Sequence, residues 1–192
     1  MDKILLGIIL GVLLVPIAVV AWFRYGHPPV AVWDEPFPYE EQITAVPLHA
    51  RIDREMPKTV PIQADETNLV AGAHIYREQC SECHGLYGKP SPLAKHMFPG
   101  VPQLWEMHRD SSVIGVSDDP VTETFWKVTN GIRLSGMPGY KGTLNETQIW
   151  QVSLLLANAD KPLPPGAIAI VRGANTPPPT RAPAPSAPDD KP

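Results

Sequence analysis

Both cysteines of this 192-residue chain fall in one stretch of five residues, Cys80-Ser81-Glu82-Cys83-His84, and that placement leaves few uses for them. Paired cysteines in an exported protein ordinarily form a disulfide. A thioredoxin-like redox pair needs alternating strands and helices, and residues 66–160 contain no convincing strand run. A zinc site needs two further ligands at sensible spacing, and His27, His49, His74, His96 and His108 form no such pair. These five histidines read as ordinary polar surface or helix positions.

What remains is the C-x-x-C-H haem attachment signature. Two thiols one turn apart can each form a thioether with a haem vinyl group, which leaves the adjacent imidazole beneath the iron as proximal ligand. The sequence therefore calls for one covalent haem c held by Cys80, Cys83 and His84, with iron as its metal.

The amino terminus bears on where those thiols reside. Ile4 to Phe23 carries no charge, and such a run is long enough as a helix to cross a hydrocarbon core of about 30 Å. A cleaved signal is the rival, with Lys3 as its n-region and Val19-Val20-Ala21 as its cleavage site. The run exceeds the usual h-region of about 7 to 15 residues and continues through Trp22 and Phe23, an interfacial aromatic pair before Arg24. An uncleaved anchor over residues 1–25 is the expectation. Lys3 against Arg24 does not settle its orientation.

Composition divides the rest. Hydrophobic residues make up 43% and the formal charge is -4, which suits one modest domain with appendages and excludes a nucleic-acid binder. Of the 24 prolines, seven lie between Gly26 and Asp65 and ten between Lys161 and Pro192. Residues 26–64 accordingly read as a Pro-rich linker, 65–160 as the globular domain, and 161–192 as a Pro/Ala-rich tail that stays disordered. A core that small is marginal alone, so a cofactor forming part of it is expected.

Within the domain, Leu69, Ala73, Tyr76 and Cys80 share one face of a helix with Asp65 or Thr67 as its N-cap. Gly72, one turn before Tyr76, marks close approach of a crossing helix. Its expected partner is near the end of the domain, where Asn145 and Gln148 look like a capping box before the stripe Ile149, Val152, Leu155 and Leu156. Between them Asp119-Pro120 reads as a cap and first turn, Val121, Phe125, Val128 and Ile132 as an apolar face, and Asn130-Gly131 as a stop. Helices without strands give an all-α domain wrapped around its cofactor.

With these residues in view, 65–160 resembles the monohaem class I cytochrome c family, in its membrane-anchored bacterial form. Gly72, Tyr76 and Cys80 match the family's G-x-x-x-aromatic-x-x-x-C amino-terminal helix, and Thr129 to Ile132 leading into Gly136-Met137-Pro138-Gly139-Tyr140 resembles its sixth-ligand loop. One departure is Leu155, where the family often has an aromatic residue. The resemblance implies a small all-α cytochrome c-like fold behind an N-terminal transmembrane helix, facing the periplasm. Val101-Pro102-Gln103-Leu104 resembles the segment whose proline carbonyl accepts the ring N–H of the proximal histidine, so Pro102 is the expected orienter of His84, with Pro99 as runner-up.

For the far side of the iron the rivals are Met56, Met97, Met107, Met137 and the free histidines. Met137 is favoured because Gly136 and Pro138 fix a tight loop, 53 residues beyond His84, that can present a thioether inward. Met97 and Met107 read as packing residues. Trp126 and Arg133 are candidates to bond haem propionates, while Trp105 and Trp150 read as core aromatics. A His/Met pair fills both axial positions, which favours electron transfer over oxygen binding or peroxidase chemistry.

The expected function is single-electron shuttling between a redox donor and acceptor at the periplasmic face of the cytoplasmic membrane. The alternative is a haem subunit of a larger membrane oxidoreductase, such as a respiratory complex, with catalysis on another chain. Between Glu66 and Asp160 seven Lys or Arg stand against ten Asp or Glu, so steering toward an acidic partner is not expected from net charge.

Overall fold

The computed structural model describes residues 3–108 and 112–174, and the chain divides into two compact units, Met1–Thr44 and Ala45–Pro192. The first unit contains helix α1 (Lys3–Tyr25), with mean hydropathy 3.1 over its most apolar window and no buried residue. At about 1.5 Å per residue it is long enough to cross a bilayer, a profile that an anchor and an export signal share. Trp22 packs edge-on against Phe23 and Phe37 at centroid separations of 5.1 and 5.5 Å.

Helix α2 (Glu40–Glu55) interrupts the stretch expected to be an extended linker. Pro47 lies inside it, and the helix nonetheless buries Ile52, at 1% exposure, within the second unit.

The second unit is all-helical among its described residues. Helix α3 (Glu66–Gln79) starts at Asp65, whose side chain accepts from the Asn68 amide at 2.9 Å, and runs into the single turn α4 (Ser81–His84). A 3-10 turn follows at Leu93–His96. Helix α5 (Val121–Asn130) begins one residue later than the proline suggested: Pro120 is its N-cap, and Asp119, rather than capping, pairs with Lys127 at 3.0 Å. Helix α6 (Glu146–Leu156) has the full capping box, Asn145 Oδ1 accepting from the Gln148 amide and Gln148 Oε1 from the Asn145 amide, each at 2.9 Å.

The core forms where α3 crosses α6, with Tyr76, Ala73, Val152 and Leu155 all at 0% exposure. A fully buried side chain of that kind contributes about 1.5–3 kcal/mol. Gly72 sits at the crossing: a Cβ there would meet the Gln151 carbonyl carbon at 2.7 Å and Leu155 Cβ at 3.2 Å. The leucine that departs from the family's aromatic position thus fits against the glycine.

The core does not stop at residue 160. Helix α7 (Pro165–Val171) packs on α3 and buries Ala167, Ile170 and Val171, so the expected tail begins later than its proline content implied. Pro165 at the first helical position is a start signal, since the N–H it lacks would have been unpaired there anyway. The disorder expected for Pro177 to Pro192 lies outside the described residues.

Candidate functional site: a turn of two thiols and an imidazole

Cys80 ends α3, and its carbonyl accepts from the amides of Cys83 at 3.2 Å and His84 at 2.9 Å. These bonds wrap both thiols and the imidazole onto one helical turn. The turn is then pinned from three directions. Tyr76 donates its hydroxyl to the carbonyls of Gly85 at 2.7 Å and His84 at 3.2 Å, and the Leu104 amide also reaches the His84 carbonyl at 3.2 Å. Gln103 donates from Nε2 to the Cys83 carbonyl at 3.2 Å while its Oε1 accepts from the Ser91 amide at 2.7 Å. Ser91 closes the net by donating its hydroxyl to the Glu82 carbonyl.

His84 Nδ1 lies 2.8 Å from the Pro102 carbonyl oxygen. A carbonyl only accepts, so Nδ1 carries the proton and Nε2 holds the ring's free lone pair. Burial lowers the imidazole pKa, and the Pro102 bond opposes that shift in part. Burial first, and the neighbouring Cys83 second, push the Cys80 thiol up to about 12. Pro99, the runner-up, instead follows a cis peptide bond after Phe98.

Across the site, residues 131–141 form a loop hung from α5. The Tyr140 and Lys141 amides donate to the carbonyls of Val128 at 3.0 Å and Thr129 at 3.1 Å, and the Ile132 amide donates to the Met137 carbonyl at 3.3 Å. Gly131, at φ +68, lets the loop fold back on the helix end: a Cβ there would meet Gly139 N at 2.5 Å and the Met137 carbonyl oxygen at 2.8 Å. Met137 is half-buried and packs against the core cluster. Tyr140 ties this loop to the thiol turn by donating its hydroxyl to the Gln79 carbonyl at 2.6 Å. Burial, then the nearby Cys80 and Cys83, raise the Tyr140 pKa to about 12, so the phenol stays a neutral donor.

Several expected residues fall elsewhere. Trp126 is buried, and its indole N–H donates to Glu55 Oε2 on α2 at 3.1 Å. Arg133 is exposed beside the Met137 loop. The Met97 methyl lies directly against Gly136, as a packing residue would, whereas Met107 is 64% exposed and packs into nothing comparable. His74 is buried, not a surface histidine. Tyr76, Gln103 and Tyr140 stand within the motifs quoted above, but nothing there assigned a hydrogen bond to their polar ends, and Glu55 stands in none of them.

The donor set can be tested against haem on its own chemistry. Among the described residues no three His, Cys, Asp or Glu side chains gather to hold a metal ion, so a bare cation has no cage. Two free thiols and one imidazole with a single available nitrogen, on one turn, suit a metal that arrives with equatorial donors of its own. The residues fit haem.

Exposed charge near the site has both signs: Lys89, Lys95, Arg133 and Lys141 are exposed, and so are Glu82, between the two cysteines, and Glu106.

Residues 67–154 match the family described as cytochrome c oxidase, cbb3-type, subunit III. With the all-helical fold, this makes the segment a cytochrome c domain, whose chemistry is haem-based electron transfer. No curated protein matches the chain. Among solved structures, a chain of the Kuenenia stuttgartiensis reducing HAO-like protein complex is similar at 19% identity with a TM-score of 0.42; the match covers 72% of this chain and 54% of that one.

Proposed function

We propose that the protein is a membrane-anchored one-electron carrier holding one haem c, attached through Cys80 and Cys83 and ligated by His84 and Met137. The observation that carries this reading is the His84 Nδ1 contact to the Pro102 carbonyl at 2.8 Å, on the same turn as both thiols. It fixes the tautomer and leaves Nε2 as the donor. When bound, the haem iron takes up and releases one electron at a time.

The chain's own residues do the rest. Cys80 and Cys83 hold the group, the Tyr76 and Gln103 hydrogen bonds keep their turn rigid, and Met137 fills the sixth position so that no substrate binds there. Arg133 is the candidate partner for a propionate. Residues 1–25 serve as an uncleaved anchor, the residues between it and α2 join it to the domain, and the haem domain faces the periplasm. The partners are redox proteins, a donor and an acceptor, and the mixed charge near the site favours neither sign of partner surface.

A second reading, a haem subunit within a larger oxidoreductase, is favoured by the matched family, which is named for an oxidase subunit. Gentle detergent extraction separates the two: a monomer supports the carrier, and a larger active complex supports the subunit. Acid-acetone treatment tests the attachment itself. Haem should stay with the polypeptide and the mature mass should include one haem; extractable haem overturns the assignment.

A further inference from the structure

Helix α5 has ten residues and no side-chain N-cap, too short to be stable alone. It is held from two sides by consecutive aromatic residues. Phe125 stacks on Trp150 of α6 at 3.9 Å between centroids, and Trp126, about 100° further round the helix, turns toward α2. There Glu55 accepts the Trp126 indole N–H at 3.1 Å and the Arg51 Nε–H at 2.8 Å. The Arg51 guanidinium lies 6.0 Å from the Trp126 ring centroid, Ile52 is buried beside them, and the Thr122 hydroxyl contacts Met56 Sδ at 3.7 Å.

The loop bearing Met137 draws its outside support from α5, through the Tyr140 and Lys141 amides and the Gly131 to Gly139 contact, with Tyr140 to Gln79 as its other tie. A shift of α5 is therefore carried directly into the loop.

We propose that α2 is a clasp for the sixth-ligand loop, with Glu55 and Trp126 as positioning residues that hold α5 where Met137 meets the iron. The proposal rests on Met137 being that ligand. The carboxylate accepting an indole N–H is a charge-assisted bond, stronger than a neutral one, and it joins residues 71 apart in sequence. Loss of the clasp leaves the haem attached and frees the loop to open.

The test uses full-length haem-loaded protein in detergent, with Glu55→Ala, Trp126→Phe, the double variant and Glu55→Gln. In the oxidised protein, cyanide affinity should rise about tenfold for either single change, the scale of one lost hydrogen bond to a charged group. The sulfur-to-iron charge-transfer band should weaken in parallel. The double variant should match the singles, since both remove one bond. Glu55→Gln keeps an acceptor for the indole but not the charge, and should fall between the unaltered protein and Glu55→Ala.

Lowered melting temperature with unchanged cyanide affinity and band in Glu55→Ala, an exposed position that tolerates substitution, overturns the clasp. Met137→Ala is run alongside. A band that survives there overturns the ligand assignment and the clasp with it; a band lost there, with Glu55→Ala unaltered, overturns the clasp alone.

Discussion

The two sides of the cofactor site are built on opposite plans. On the thiol side, Cys80, Cys83 and His84 share one turn, and Pro102, Gln103 and Tyr76 lock it through hydrogen bonds spanning at most 20 residues. On the Met137 side, the loop makes no regular structure and is held by the Gly131 contact and two amide bonds to α5, which leans on α6 and α2, and by the Tyr140 bond to Gln79 across 61 residues. The first side is a closed net around one turn, and the second depends on the placement of other helices. Damage to the first should abolish the cofactor, whereas damage to the second should change only how the cofactor behaves.

The largest expected effect tests the first half of that contrast. Cys83→Ser removes one attachment point, and the yield of haem-bearing protein should fall to a small fraction, read from haem absorbance per polypeptide. Next, Met137→Ala should keep full haem content but lose the charge-transfer band, lower the reduction potential and admit carbon monoxide. Met97→Ala should leave the spectrum alone. A band retained in Met137→Ala and lost in Met97→Ala reverses the roles of those two residues.

Gly131→Ala comes third. Its φ of +68 and the 2.5 Å approach of Gly139 N leave no room for a methyl group. The cost should be about 1–3 kcal/mol in a urea melt, with a weakened charge-transfer band. An unchanged melt would mean that the loop is not closed on α5. The smallest effect should come from Tyr76→Phe, which leaves the buried Gly85 carbonyl without the hydroxyl that now reaches it at 2.7 Å. About 1–2 kcal/mol of stability should go, with the sixth-ligand band intact. If that band weakens as well, the two sides are coupled and the contrast fails.

The same contrast explains what was legible beforehand. The thiol turn, the Asp65 cap, the Asn145 capping box and the close approach at Gly72 are short-range patterns, and each is found where its spacing placed it. Helix α2 was hidden because Pro47 and its proline-rich flanks read as linker, although the helix buries Ile52 in three dimensions. Helix α7 was hidden the same way, its seven residues sitting among prolines that marked its start instead of disorder. No spacing rule connects Trp126 to Glu55, so the bond between them had no signal in the sequence.

The packing of α3 against both α6 and α7 also has a consequence for biogenesis. Helix α3 meets α6 only once Leu156 has been synthesised and α7 only once Val171 has, so the full core cannot close around a chain that stops short of α7. Such long-range closure is slow compared with local helix formation. Throughout that interval Cys80 and Cys83 sit on an open polypeptide, reachable by any oxidant able to pair them. On the covalent attachment proposed above, both thiols would have to stay reduced until haem had joined them.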